Sequence, residues 1–96
     1  MIIRWSERAR TQVREIFEYI ARDRPRVAER ILESFLERVE LLAEFPEQGS
    51  ALGGRSDLRA IVHESHRIVY RVGLEDIAIL SVRHTRRAAE DDPGNE

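Results

Sequence analysis

The chain has 96 residues, 42% of them hydrophobic and 35% charged, which is enough apolar surface for one small core and too short a length for a second. It contains no cysteine, which excludes a disulfide framework, a thiolate metal site and a cysteine nucleophile, and which suits a reducing cytosol. The longest apolar run, Ile77-Ala78-Ile79-Leu80, is far below the span a membrane helix or a secretory signal needs, so a cytoplasmic protein without membrane contact is expected.

All 16 basic residues are arginine. Arginine's planar fork suits bidentate binding of carboxylate or phosphate, but it holds its charge and does not serve as a general base. The formal charge of −2 hides an uneven distribution. Residues 1–48 carry nine arginines and ten acids, residues 49–89 seven arginines and four acids, and residues 90–96 four acids alone. A basic second half is thus followed by an acidic tail, Glu90-Asp91-Asp92-Pro93-Gly94-Asn95-Glu96, expected to be disordered behind a single domain at 1–89.

Met1 to Trp5 is short, apolar and aromatic and reads as a strand, ending at Ser6, whose hydroxyl suits a helix N-cap. From Glu7 to Asp23 the apolar residues Ala9, Val13, Ile16, Phe17, Ile20 and Ala21 recur at steps of three and four, one stripe of a helix. Arg14, Glu18 and Arg22 alternate in sign at steps of four on the opposite, solvated side. Pro25 ends that helix by constraining Arg24 and opens a second at a first-turn position. The second stripe, Ala28, Ile31, Leu32, Phe35, Leu36, Val39, Leu42 and Ala43, runs to Phe45, where Pro46 stops it. So short a connection predicts an antiparallel helical hairpin.

Pro46 to Gly54 is rich in turn residues and reads as a loop. Beyond it the period becomes two: Leu58, Ala60 and Val62 alternate with Arg59, Ile61 and His63, and Ile68, Tyr70 and Val72 with Arg67, Val69 and Arg71. Gly73-Leu74-Glu75-Asp76 is a tight turn before a third strand, Ile77 to Arg83. The order β-α-α-β-β-β predicts a two-layer α+β domain, with an antiparallel sheet joined by the first strand and the helical hairpin packed on one face.

Arg67, Val69 and Arg71 are expected on the open face of the sheet, with Arg59 a candidate for the same face. Such an arginine-lined surface can hold a phosphate backbone or an acidic protein segment. His63, Glu64 and His66 carry zinc-compatible chemistry, but a turn offers no rigid frame for three such closely spaced ligands, and a polar hairpin is the simpler reading. His84, among Arg83, Arg86 and Arg87, is the remaining candidate general base. Trp5 and Tyr70 read as core aromatics. No phosphate loop, Ser/His/Asp ordering or close pair of carboxylates on a rigid element is present, and neither cofactor nor metal is expected.

The series Trp5-Ser6, Ala9, Ile16-Phe17-Glu18-Tyr19-Ile20, Pro25 with Ala28, Phe45-Pro46 with Gly49, Leu58-Arg59, Arg67 to Val72 and Ile79 to Arg87 resembles the ParE/RelE superfamily of type II toxin–antitoxin toxins, and within it the ParE branch. The match covers roughly residues 3–88. The resemblance implies a bacterial cytosolic toxin that inhibits DNA gyrase and is neutralised, in a hetero-oligomer, by a cognate ParD-like antitoxin. On that reading no residue is catalytic, and Arg59, Arg67, Val69, Arg71, Arg83 and Arg86 are candidates for antitoxin or target binding. The alternative is a RelE-like endoribonuclease that cuts messenger RNA on the ribosome, for which Arg67, His84 and Arg87 are the candidate residues. The lysines and C-terminal aromatic of that branch are missing, and His84 is the one group suited to proton transfer.

Overall fold

A computed structural model describes residues 1–86; Arg87 and the acidic run 90–96 lie outside the described residues. β1 (Ile2–Trp5) leads into α1 (Glu7–Ala21), and three residues later α2 (Pro25–Glu44) begins. Both junctions follow from local chemistry. The Ser6 hydroxyl accepts the Ala9 backbone N–H at 3.0 Å and so caps α1, while Pro25 opens α2 where a missing N–H costs nothing.

Four strands follow: β2 (Ser50–Leu52), β3 (Arg55–His63), β4 (His66–Val72) and β5 (Asp76–His84). β2 lies inside the segment expected to be a loop. Ser50 and Ala51 pair with Ala60 and Arg59, and the glycines Gly53 and Gly54 turn the chain at positive φ. The ladder to β3 makes this three-residue strand, and no local pattern announces it.

The five strands form one sheet in the order β1-β5-β4-β3-β2, antiparallel except for β1, which runs parallel to β5. The α+β fold, with its helical hairpin over one face, is the one anticipated, extended by β2. Between sheet and helices sits the main core, built from Ala9, Phe35, Leu42, Ile61, Ile68, Tyr70, Ile77 and Ile79, with Trp5 packed at its edge. Tyr70 is fully buried yet polar, and its hydroxyl is satisfied on both sides, accepting the Gly49 N–H at 2.9 Å and donating to the Pro46 carbonyl at 2.7 Å. Gly49 is obligatory there, since an added Cβ would lie 2.6 Å from the Tyr70 oxygen.

β1 covers β5 only from Asp76 to Ile79. Past that point side chains of the first helix and its cap take over the ladder. The Ser6 hydroxyl donates to the Leu80 carbonyl at 3.2 Å, and the Gln12 side-chain oxygen accepts the Val82 N–H at 2.7 Å.

Candidate functional site

Cross-strand register decides which candidate residues meet. Arg67 stands opposite Arg83 on β5 and Val62 on β3, and Arg71 opposite Ala78 and Leu58. Directly opposed residues share a face, so Arg67, Arg71 and Arg83 all lie on the outer face, and Arg83, near the end of β5, also lines a groove beside α1. Arg59 does not join them. It stands opposite the core residue Tyr70, which puts it on the helix side, and its guanidinium donates to the carbonyls of Ser56 at 2.9 Å and Gly49 at 2.8 Å. Arg59 and Tyr70 together clamp the loop leading into β2, so Arg59 has a structural task and leaves the candidate binding set.

Val69 is on the outer face as expected but is only 2% exposed, buried with Leu58 and Ala60 in a second small cluster, against which Leu52 and Leu80 pack. A bulge between Val69 and Tyr70 in the β4–β5 ladder inserts an extra residue, and Leu80 joins that cluster. Val69 is therefore unavailable to a partner. What the outer face presents is Val62 and Arg71, both exposed, with Arg67 and Arg83 half-buried beside them.

The histidines occupy the other face. His63 pairs with His66 and His66 with His84 across the three strands, one residue out of step with the arginines. They gather around Phe35 of α2, with ring centroids 5.8 Å from His63 and 5.3 Å from His66, while His66 and His84 meet edge-on at 5.5 Å. The Ser34 hydroxyl hydrogen-bonds His63 Nε2. His66 Nδ1 donates to the Glu64 backbone carbonyl at 2.7 Å, and His84 Nδ1 accepts the Arg86 N–H at 3.2 Å. Burial holds the His66 imidazole below its ordinary pKa, against the opposing pull of the Glu64 carbonyl. Among the described residues no group of three or more histidine, aspartate or glutamate side chains is arranged to hold a metal ion. His63 and His66 pack against Phe35 at the end of the hairpin, and Glu64 is exposed in its turn.

Two grooves flank α1. One, of about 360 Å³, lies between α1 and α2 and is lined by Trp5, Val13, Phe17, Leu32 and Leu36, with Arg10 and Arg14 at its mouth. The other, of about 770 Å³, lies between α1 and the far end of β5 and includes Ile16, Tyr19, Val82, His84 and Arg86. Tyr19 is 73% exposed on its rim. Sequence reasoning missed both grooves. The residue that could have revealed the second is Tyr19, an aromatic standing beside the apolar stripe of α1 and in excess of what that stripe needs.

These surfaces belong to a two-layer α+β domain whose charged and apolar recesses suit protein binding. The chain matches, over residues 3–89, the family described as ParE toxin of type II toxin–antitoxin system, parDE, and it belongs to that family. A protein of Sinorhizobium fredii (strain NBRC 101917 / NGR234), Y4kP, whose name describes it as a toxin, is 33% identical over 86 residues, 88% of each chain. A solved structure described as the chromosomal ParDE TA system from P. aeruginosa shares the fold, with a TM-score of 0.74 at 20% identity over 88% of this chain and 95% of that one.

Proposed function

We propose that this ParE-family toxin acts by inhibiting DNA gyrase without catalysing a reaction, and that a cognate ParD-like antitoxin neutralises it. The observation that carries this reading is that Arg67 and His84, two of the candidate ribonuclease residues, stand on opposite faces of the sheet. Cleavage of RNA needs a proton acceptor and a proton donor within hydrogen-bond reach of the phosphate that the cations hold. Arg67 lies on the outer face opposite Val62, while His84 stands opposite His66 on the helix side, at the groove that Arg83 and Arg86 also line. The candidate ribonuclease set is thereby divided, and Arg87 lies outside the described residues.

For the antitoxin, the groove between α1 and α2 has the right chemistry. Its walls are apolar, as an amphipathic segment requires, and Arg10 and Arg14 at the mouth can pair with carboxylates at the end of such a segment. The test is a supercoiling assay with purified gyrase, using toxin alone and toxin premixed with its antitoxin, run beside a translation assay. Inhibited supercoiling, normal translation and rescue by antitoxin are expected. Undiminished supercoiling at large molar excess of toxin overturns the reading. Message cleavage abolished by Arg67→Ala or His84→Ala would replace it with the ribonuclease.

A further inference from the structure

We propose that Arg38 of α2 and Arg59 of β3, both close to Tyr70, form a binding site for a phosphate-class oxyanion. This does not depend on what the toxin inhibits. Three observations carry it.

The first is a sealed guanidinium nitrogen. Arg38 Nη1 is buried from solvent and has no hydrogen-bond partner among the described residues. A buried cationic donor left in that state is costly, and folded proteins regularly meet such a group with an acceptor. Its own helix supplies no carboxylate, because the residues three and four positions away are Ser34, Phe35, Leu41 and Leu42.

The second is where α2 places it. Ser34 hydrogen-bonds His63 on β3, and the Pro46 carbonyl, just past the end of α2, accepts from Tyr70, which stands opposite Arg59. Arg38 lies on α2 between these two anchors, one turn beyond Ser34 on the same stripe. Burial pushes the Tyr70 phenol up, and the Gly49 N–H and the charges of Arg59 and Arg38 pull against it, so both cations act on one hydroxyl.

The third is a missing counter-charge. Among the described residues no carboxylate forms an ion pair with Arg38 or Arg59, and Asp57, the acid on the same strand as Arg59, is held by Arg55 at 2.8 Å. Arg59 spends Nε and Nη1 on the carbonyls of Ser56, Glu47 and Gly49, and Nη2 takes part in none of these bonds. Two guanidiniums are balanced by a phosphate dianion, whereas a carboxylate balances one of them. Arg38 Nη1 and Arg59 Nη2 are the donors suited to its oxygens, and charge-assisted bonds from guanidinium to phosphate are among the stronger ones. Both side chains are half-buried, which leaves a small ion a way in.

The test is a titration of the full-length protein with sodium phosphate at neutral pH, with sodium chloride holding the ionic strength constant. The Gly49 backbone amide and the Arg59 Nε–H signals should shift together and saturate. Arg38→Gln should weaken binding about tenfold or more while keeping the thermal midpoint of the parent in phosphate-free buffer. Arg71→Gln, on the outer face, should leave the affinity unchanged. Adenosine monophosphate separates the sources of the group: affinity no tighter than that of inorganic phosphate identifies the free ion, and tighter binding with the same shifts identifies a phosphate ester. The proposal is overturned if acetate gives the same shifts at the same concentrations, if Arg38→Gln binds phosphate like the parent, or if Arg71→Gln weakens binding as much. A lower midpoint for Arg38→Gln without phosphate overturns it too, because Arg38 then already has its partner. A gyrase assay that failed would touch none of these outcomes.

Discussion

The two faces of the sheet each bury aliphatic side chains, but they do it by different means. On the helix side Phe35, Val39 and Leu42 close over Ile61, Ile68, Tyr70 and Ile79, so the main core is shared between two layers. On the outer side Leu58, Ala60 and Val69 are buried with Leu52 and Leu80, side chains of the same sheet, packed against them, and among the described residues no second layer covers them. The register sets His63, His66 and His84 on the helix side and Arg67 and Arg71 outside, with Arg59 an exception on the helix side. A strand alternation of one residue is enough to set His66 and Arg67, neighbours in the chain, on opposite faces.

The largest expected contrast is between truncations on the two sides. Phe35→Ala should lower stability by about 3–5 kcal/mol, because it opens a cavity between two layers that cannot both collapse into it. Leu58→Ala should cost about 2 kcal/mol, the low end for such a change, since the outer cluster is small and its partly buried neighbours Leu52 and Leu80 can settle into the space. Urea titrations measure both, and equal losses would show the outer cluster to be as much a part of the core as the inner one.

Acidification should also act on one side only. An unfolded histidine titrates near pH 6.5, whereas His66 in the fold titrates lower because burial disfavours its charge. Between those two values the unfolded chain binds more protons, so stability rises with pH through this window. It is fully present above about pH 6.5 and declines as pH falls through that value towards the lower folded one. His66→Gln should flatten this part of the stability–pH profile, whereas Arg71→Ala should not. A profile that keeps its slope without His66 would place the acid sensitivity elsewhere.

The smallest effect concerns the turn that joins β3 to β4. Glu64 and Ser65 both adopt positive φ, at 52° and 63°, in a two-residue hairpin that favours Asn-Gly. Replacing them by Asn and Gly should raise the thermal midpoint and add about 1 kcal/mol. A loss instead would mean that the Glu64 and Ser65 side chains make contacts worth more than the backbone strain.

Much of this architecture could be read before any coordinates, because the strongest signals are local. The three-and-four spacing of Val13, Ile16 and Ile20, and the prolines at 25 and 46, define helices from within their own sequence. What escaped depends on partners far along the chain. β2 exists through its pairing with β3, and Gly53 and Gly54 beside it read as punctuation. The face of Arg59 is not legible in the sequence because β3 is apolar on both sides, Leu58 and Ala60 outward and Ile61 inward, so alternation alone does not say which way its polar residue points. Val69 alternates as the pattern predicts, but it is buried in a cluster with Leu58 and Ala60 against which Leu52 of β2 and Leu80 at the β5 bulge pack, features the pattern did not contain. The grooves were illegible for the same reason, since each is made by two elements whose separation no single segment encodes.

One detail of the helix–sheet seam bears on how the molecule behaves in a crowd. A bare strand edge is a template for another strand, and short proteins with one are prone to stack edge to edge. Here the exposed stretch of β5 is stoppered by Ser6 and Gln12, which hold the Leu80 carbonyl and the Val82 N–H. Among the described residues, two neutral side chains thus satisfy edge groups that a neighbouring strand would otherwise hold.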